Sequence, residues 1–225
     1  MKKPTAISEL LSIMERLRAP NGCPWDREQD HRSLRFHAVE EVYELMDAIE
    51  AGDEHEMVEE LGDLLLQVVF HCQLARERGA FDFDEVCRRI VAKLIHRHPH
   101  VFGDQKLHTA EAVLAQWEQL KRAEKHGTRH ARPSALDGIP KHLPALLRAE
   151  KLLKKARKAG LTAAQAKPAG LTKSELAGRL FDLAAYAHSK KWSAEALLRA
   201  ETKKIERKLR RKEKALSVRA EDKQP

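Results

Sequence analysis

Two amphipathic segments joined by one short turn constrain this chain more than any other feature. Leu34 to Ala51, and a longer segment from Asp53 or Glu54 to about Arg78, repeat apolar residues at helical spacing. Gly52 ends the first segment. Helices connected so briefly pack antiparallel. The sequence therefore predicts a helical hairpin.

The rest of the chain has the same helical character. Aromatic residues make up 5% and there are only 10 glycines, which argues against a barrel or sandwich of strands. We predict an all-α bundle with a smaller helical C-terminal region. Its further helices are predicted at Ile7 to Leu17 (with Ser8 as a possible cap), Phe81 to Arg97, Thr109 to His126, Ala145 to Ala159 and Lys173 to Lys214.

A segment rich in glycine and proline, residues 127–144, interrupts this pattern. It predicts a boundary near residues 130–140. We therefore expect a helical module at 1–130, a linker at 131–150, and a second helical region with a basic tail at 151–225.

Acidic residues follow one side of each helix in the predicted hairpin. At 100° per residue, Glu40, Glu41 and Glu44 share one side of the first helix, and Glu60 and Asp63 share one side of the second. Apolar residues occupy the remaining surface. Antiparallel packing brings the two acidic stripes within reach of each other.

Carboxylates so close together repel, and a bound cation would neutralise them. A set of oxygen ligands suits Mg²⁺ or Mn²⁺ rather than zinc. Glutamate is also common on exposed helices, and EExxE alone is weak support for a metal site. Two acidic pairs on successive helices, each beside a clean apolar stripe, favour the metal site.

Cations and an aromatic residue follow at helical spacing. Lys93 and Arg97 lie one turn apart, as do Trp117 and Lys121. Such groups suit phosphate oxygens and a nucleotide base. Taken singly, each would be an ordinary surface or core residue.

These residues resemble a known family. The pattern EEVYE…ELGD resembles the EExxE…ExxD motif of the MazG family of all-α nucleoside triphosphate pyrophosphatases, and the resemblance covers residues 7 to about 150. It is supported by five other strings: NGCPWD at 21–26, LLLQVVFH at 64–71, KLIHRHPHVFGD at 93–104, VLAQWEQLK at 113–121 and SALDGIP at 134–140.

The resemblance implies hydrolysis of an NTP or dNTP to the monophosphate and pyrophosphate, with a metal-activated water attacking the α-phosphorus in line. Glu40 would be a metal ligand or the base that orients the water, and Glu41 would take part in catalysis as well. The family's site is completed by dimerisation, so a homodimer is expected, with a tetramer as the alternative. The implied metal ligands are Glu41, Glu44, Glu60 and Asp63, and the implied substrate-binding residues are Trp25, Lys93, Arg97, Trp117 and Lys121.

Longer members of the family carry two such modules, and in this chain the C-terminal one is expected to be degenerate. Glu175 is present, but Gly178 occupies the expected Asp position, and residues 160–172 contain no carboxylate. Lys204 and Lys208 keep the spacing of the family's Lys-rich helix. We expect this half to serve as a scaffold or to form a dimer.

Two other interpretations remain. The chain could be a non-catalytic relative that binds nucleotides or, through its tail, nucleic acid; residues 199–214 carry nine Lys or Arg, although a solvated helix face explains them as well, and nucleic acid is not favoured. His96, His98 and His100 could bind a transition metal, but a polar loop closing a helix is the better explanation.

Other features limit location and class. Three cysteines without CxxC spacing fit a reducing compartment, and the longest apolar run, Leu64 to Phe70, is too short to span a bilayer. A cytoplasmic protein without a membrane partner is expected. No GxxxxGK[ST] motif and no His-Asp dipeptide occur, which excludes P-loop and HD-type phosphohydrolases.

Overall fold

The structure, a computed structural model, describes residues 3–124, 127–128, 131–162 and 170–221. Within these ranges the chain is all-α, as predicted, and contains no strand. No helix of the described part is long and apolar enough to cross a membrane. The described helices are α1 (Ala6–Leu17), α2 (Pro24–Glu28), α3 (His37–Ala51), α4 (Glu54–Glu77), α5 (Phe83–Arg97), α6 (Pro99–Phe102), α7 (Ala110–Ala123), α8 (Ala145–Lys158), α9 (Lys173–Ser189) and α10 (Ala194–Glu221).

The chain divides into two compact units, Met1–Thr109 (the first unit) and Ala110–Pro225 (the second unit). The division falls before α7, whereas the sequence places α7 with the first module. The functional modules 1–130, 131–150 and 151–225 stay a prediction.

The helical hairpin α3–α4 organises the first unit. Gly52 adopts a left-handed conformation (φ 68°) that ends α3, and Asp53 caps α4 by accepting from the backbone N–H groups of His55 and Glu56. The helix α4 also packs against α1 and α5. The buried core of the first unit consists of Met14, Leu34, Val69, Phe70 and Leu74.

The second unit has its own core, and part of the predicted linker belongs to it. Leu136 is fully buried and Ile139 packs beside it. Both lie in the 131–144 segment, which precedes α8. Other buried members of this core are Leu152, Ala156, Leu161 and Leu209.

Several helix ends differ from those predicted. Thr5, not Ser8, caps α1, and Asp82 caps α5, which begins at Phe83. The predicted helix Lys173 to Lys214 is two helices, because Lys191 takes a positive φ of 58° and Ser193 then accepts from the N–H of Ala196 to begin α10. The predicted end of the fifth helix, His126, lies outside the described residues.

Candidate metal centre

The helical hairpin brings three carboxylates from two helices together. Oxygen atoms of Glu41 on α3 and of Glu60 and Asp63 on α4 all lie within 4.8 Å of one another, and all three residues are half-buried. We call these three residues the carboxylate cluster. Its geometry follows from the tight turn at Gly52, which folds α4 back along α3.

The surroundings of the cluster disfavour its charged form. Burial raises the pKa of the Glu41 carboxyl, and the charges of Asp63 and Glu44 raise it further. Burial also raises the pKa of Glu60, together with the charges of Glu44, Asp63 and Glu41. In the protein alone, negative charge at this cluster is therefore opposed by both desolvation and repulsion.

One oxygen of the cluster is buried without a partner. Oε2 of Glu60 has no hydrogen-bond partner among the described residues. A buried polar atom is normally satisfied, so this oxygen calls for a ligand outside the chain. Carboxylate oxygens at this spacing suit Mg²⁺ or Mn²⁺, and the residues present therefore fit a hard divalent cation.

A buried amide holds one member of the cluster in place. Gln67 is 8% exposed, and its Nε2 donates to Oε1 of Glu41 over 3.3 Å. This hydrogen bond acts to lower the pKa of Glu41, but burial and the neighbouring charges raise it by more. Sequence reasoning missed this role, yet a signal was present: Gln67 is the only polar residue in Leu64 to Phe70 and follows Asp63 by one turn.

The polar stripe of α4 continues to a pair of histidines. Glu60, Asp63, Gln67 and His71 fall within an arc of about 80° on the helix. Nδ1 of His71 lies 2.9 Å from Nδ1 of His31, and the two rings stack with centroids 5.1 Å apart. Burial and the charge of His31 lower the pKa of His71, which favours its neutral form. Sequence reasoning missed this pair as well, because no spacing links residues 40 positions apart.

The other two predicted acidic residues, Glu40 and Glu44, lie outside the cluster. Glu44 is exposed and acts on the cluster through its charge. Glu40 is exposed too, and its Oε2 lies 3.8 Å from Nδ1 of His37. The ring of Trp25 on α2 meets His37 edge-on, 6.1 Å between centroids. Trp25 thus lies near the start of α3.

The predicted phosphate-binding residues are placed on two different helices. Lys93 is exposed on α5, and Arg97 is the last residue of that helix; α5 packs against α4. Trp117 and Lys121 lie on α7 in the second unit, where the Lys121 ammonium is 5.9 Å from the centroid of the Trp117 ring. Their contact with a substrate stays a prediction. The ring centroids of His98 and His100 lie 5.5 Å apart at the junction of α5 and α6. The sequence predicts a polar loop here, but the short helix α6 follows α5 almost directly and contains His100.

Comparison with known proteins identifies one domain in the first half of the chain. Residues 29–102, which contain the whole carboxylate cluster, match the model of the MazG nucleotide pyrophosphohydrolase domain. The chain carries a MazG domain. The resemblance predicted from its motifs is confirmed.

The names of two relatives of this chain agree with the match to the MazG domain. The chain is 50% identical over 155 residues to the nucleoside triphosphate pyrophosphohydrolase of Escherichia coli (strain K12), covering 68% of this chain and 58% of that protein. It is 47% identical over 152 residues to the nucleoside triphosphate pyrophosphohydrolase/pyrophosphatase MazG of Thermotoga maritima, covering 68% and 57%. The chain thus spans a little over half the length of these relatives.

A solved structure of a mazG-related protein from Thermotoga maritima also aligns with this chain. It covers 51% of this chain and 97% of that one, with a TM-score of 0.43 and 26% identity.

Proposed function

We propose that this chain hydrolyses nucleoside triphosphates, ribo or deoxyribo, to the monophosphate and pyrophosphate in a reaction that requires Mg²⁺ or Mn²⁺. The observation that carries the proposal is the carboxylate cluster with its unsatisfied Glu60 oxygen. The relatives named as nucleoside triphosphate pyrophosphohydrolases supply the reaction class.

Glu41, Glu60 and Asp63 would hold the cation, with Glu44 completing the site from its edge. A bound divalent cation supplies positive charge that neutralises phosphate oxygens and lowers the pKa of water. Neutralisation would also remove the repulsion that raises the pKa of Glu41 and Glu60.

Glu40 would take the proton of the attacking water. Its exposed carboxylate lies beside His37, and Glu40 directly precedes Glu41 of the cluster in the chain. The water oxygen forms a bond to the α-phosphorus, the bond from that phosphorus to the bridging oxygen breaks, and pyrophosphate leaves. Lys93 and Arg97 would bind the triphosphate oxygens, and Trp25 would stack against the nucleotide. The substrate contact expected of Trp117 and Lys121 from the sequence stays a prediction.

The cytoplasmic location expected from the sequence stays a prediction. The proposal also includes a homodimer, with a tetramer as the alternative. The apolar side of α3 and α4 is about half exposed, an area that a second copy would cover. Light scattering after gel filtration tests this. We expect a dimer for the wild type and a monomer for Ile49→Asp, while a wild-type monomer would contradict it. The exposed residues are Val39, Val42, Met46, Ile49, Leu61, Leu65 and Val68.

The decisive experiment identifies the products. The protein is incubated with NTPs, dNTPs and Mg²⁺, and the products are separated by ion-exchange chromatography. We expect monophosphate and pyrophosphate, lost with EDTA and in Glu41→Gln but kept in Glu50→Gln, an exposed residue of the same helix. Diphosphate and inorganic phosphate would place the attack at the γ-phosphorus and refute the proposal. Binding of Mg²⁺-NTP without cleavage would favour a non-catalytic relative.

A further inference from the structure

Charge divides between the two units of the chain. Residues 1–109 contain 14 Lys or Arg and 21 Asp or Glu, whereas residues 110–225 contain 28 Lys or Arg and 13 Asp or Glu. A basic excess of this size points to a polyanionic ligand for the second unit.

Three acidic residues of α10 bind partners inside the second unit. Glu195, Glu206 and Glu213 fall within an arc of about 20° on the helix. Glu195 accepts from the N–H of Ala145 at 2.9 Å, Glu206 binds Arg148, and Glu213 accepts from the N–H of Ala135 at 2.7 Å. These carboxylates therefore contribute little negative charge to the outer surface.

Between Lys203 and Lys214 the opposite side of α10 is basic. Its six cations fall within an arc of about 140° and recur three or four residues apart, about 5–6 Å along the axis. One exposed acid, Glu201, lies beside this arc and binds Lys204 at 3.1 Å. Within the described residues, Lys203, Arg207, Lys208 and Arg211 form no ion pair. We call the basic row Lys203, Lys204, Arg207, Lys208, Arg211 and Lys214, all of them exposed.

Exposed aromatic rings accompany the basic row in the same unit. Phe181 is 75% exposed, Tyr186 57% and Trp192 54%. Tyr186 and Trp192 meet edge to face, 6.3 Å between centroids, at the turn that leads into α10. The Lys190 ammonium lies 5.7 Å from the centre of the Tyr186 ring. Solvent-exposed rings beside cations offer stacking surfaces for unpaired bases.

We propose that the second unit binds single-stranded nucleic acid, with phosphates along the basic row and bases stacked on Tyr186 and Trp192. This function is separate from nucleotide hydrolysis. A membrane surface suits the row less, because Thr202 and Leu209 on the other side of α10 are buried and cannot enter a bilayer. An acidic peptide would use the cations but not the rings.

Fluorescence anisotropy with labelled 20-nucleotide oligothymidylate and oligouridylate tests the basic row in the full-length protein. We expect binding of both at 50 mM salt, with an affinity that falls steeply as salt rises, by about 0.7 in the log–log slope for each phosphate bound. The triple variant Lys204→Gln/Lys208→Gln/Arg211→Gln should bind about tenfold more weakly or worse, with a slope lower by about 2.

A matched triple variant controls for net charge. Lys151→Gln/Lys154→Gln/Arg157→Gln removes three exposed cations from α8 of the same unit, and its affinity should change less than about threefold if α8 contacts no phosphate. Glu201→Gln removes the acid beside the row and should strengthen binding. Equal losses in the two triple variants would refute the basic row as the site, and so would absence of binding at 50 mM salt.

The rings are tested separately from the charges. Tyr186→Leu and Trp192→Leu keep the charge and should each weaken single-strand binding by about fivefold or more. Their binding to a duplex of the same length should not change. A duplex or polyglutamate that competes as well as the single strand would overturn the proposal, as would preferred binding to vesicles of anionic lipid.

Discussion

Half-buried glutamates in the two units of this chain have opposite surroundings. Glu41 and Glu60 of the first unit face other carboxylates, and burial with those charges raises their pKa. Glu206 of the second unit is also half-buried, and burial alone would raise its pKa. Hydrogen bonds from Arg210 and Arg148 instead hold it below the ordinary value.

The contrast separates two uses of the same side chain. Glu206 has its counter-charge within the fold, and Arg210 extends the network to Asp137 at 2.8 Å. Among the described residues, no cation pairs with the carboxylate cluster, and one of the cluster's oxygens has no hydrogen-bond partner. Neighbouring carboxylates that repel one another form a candidate ligand site, whereas a carboxylate paired with a cation of the chain is part of the scaffold.

The variant Glu60→Gln tests most directly whether Glu60 serves as a ligand or as part of the scaffold. Because Glu60 is a proposed ligand of the cation, its removal should reduce kcat by about a hundredfold or more, since such a cation supplies several kcal/mol to the transition state. Without metal, the same variant should be as stable as the wild type or more stable, because repulsion is relieved. Hydrolysis rates with Mg²⁺ and thermal unfolding with EDTA measure the two effects. A marked loss of metal-free stability would make Glu60 a structural residue like Glu206.

Glu206→Leu should have the reverse profile. It leaves the buried Arg148 charge without its partner and should reduce the free energy of unfolding by about 3 kcal/mol. Glu201→Leu, on an exposed part of the same helix, should cost less than about 1 kcal/mol. Urea unfolding compares the two. Similar small losses in both would show that the buried network is not structural.

The sequence predicted one of these regions much better than the other. Periodicity alone places Glu41, Glu60 and Asp63 on facing sides of a hairpin, since helix geometry and a short turn are local properties. The role of Glu206 was not predictable, because it depends on Arg148 from another helix. Gln67 stood out in the sequence as a polar residue one turn after Asp63, but its bond to Glu41 depends on the packing of α3 on α4.

The variant Gln67→Leu tests whether the Gln67 amide positions Glu41 in the carboxylate cluster. The variant removes the donor that positions Glu41, and we expect Mg²⁺ affinity to fall by about 10- to 100-fold, as for other residues that orient a metal ligand. Gln73→Leu is the matched control, because Gln73 on the same helix donates to Glu77 at 3.1 Å instead. Calorimetric titration of Mg²⁺ measures both. Equal affinities would show that Glu41 is held without the amide.

The smallest expected effect is a pH dependence of stabilisation by Mg²⁺. Because the pKa values of Glu41 and Glu60 are raised in the folded chain, folding favours their protonated form. Their contribution to metal-free stability is therefore greatest below the ordinary glutamate pKa and is lost as pH rises through the raised values. Mg²⁺ requires the ionised form, so the increase in Tm that it causes should grow over the same window.

Comparison with Glu41→Gln isolates this contribution. Glu77 and Glu85 have lowered pKa values and give the opposite pH trend, but they are common to both proteins. Thermal unfolding at pH 5 and pH 8, with and without Mg²⁺, should give a shift larger at pH 8 by a few degrees in the wild type. The variant should show a smaller difference. A Mg²⁺ effect that is independent of pH, or equal in both proteins, would mean that the cation binds away from the carboxylate cluster.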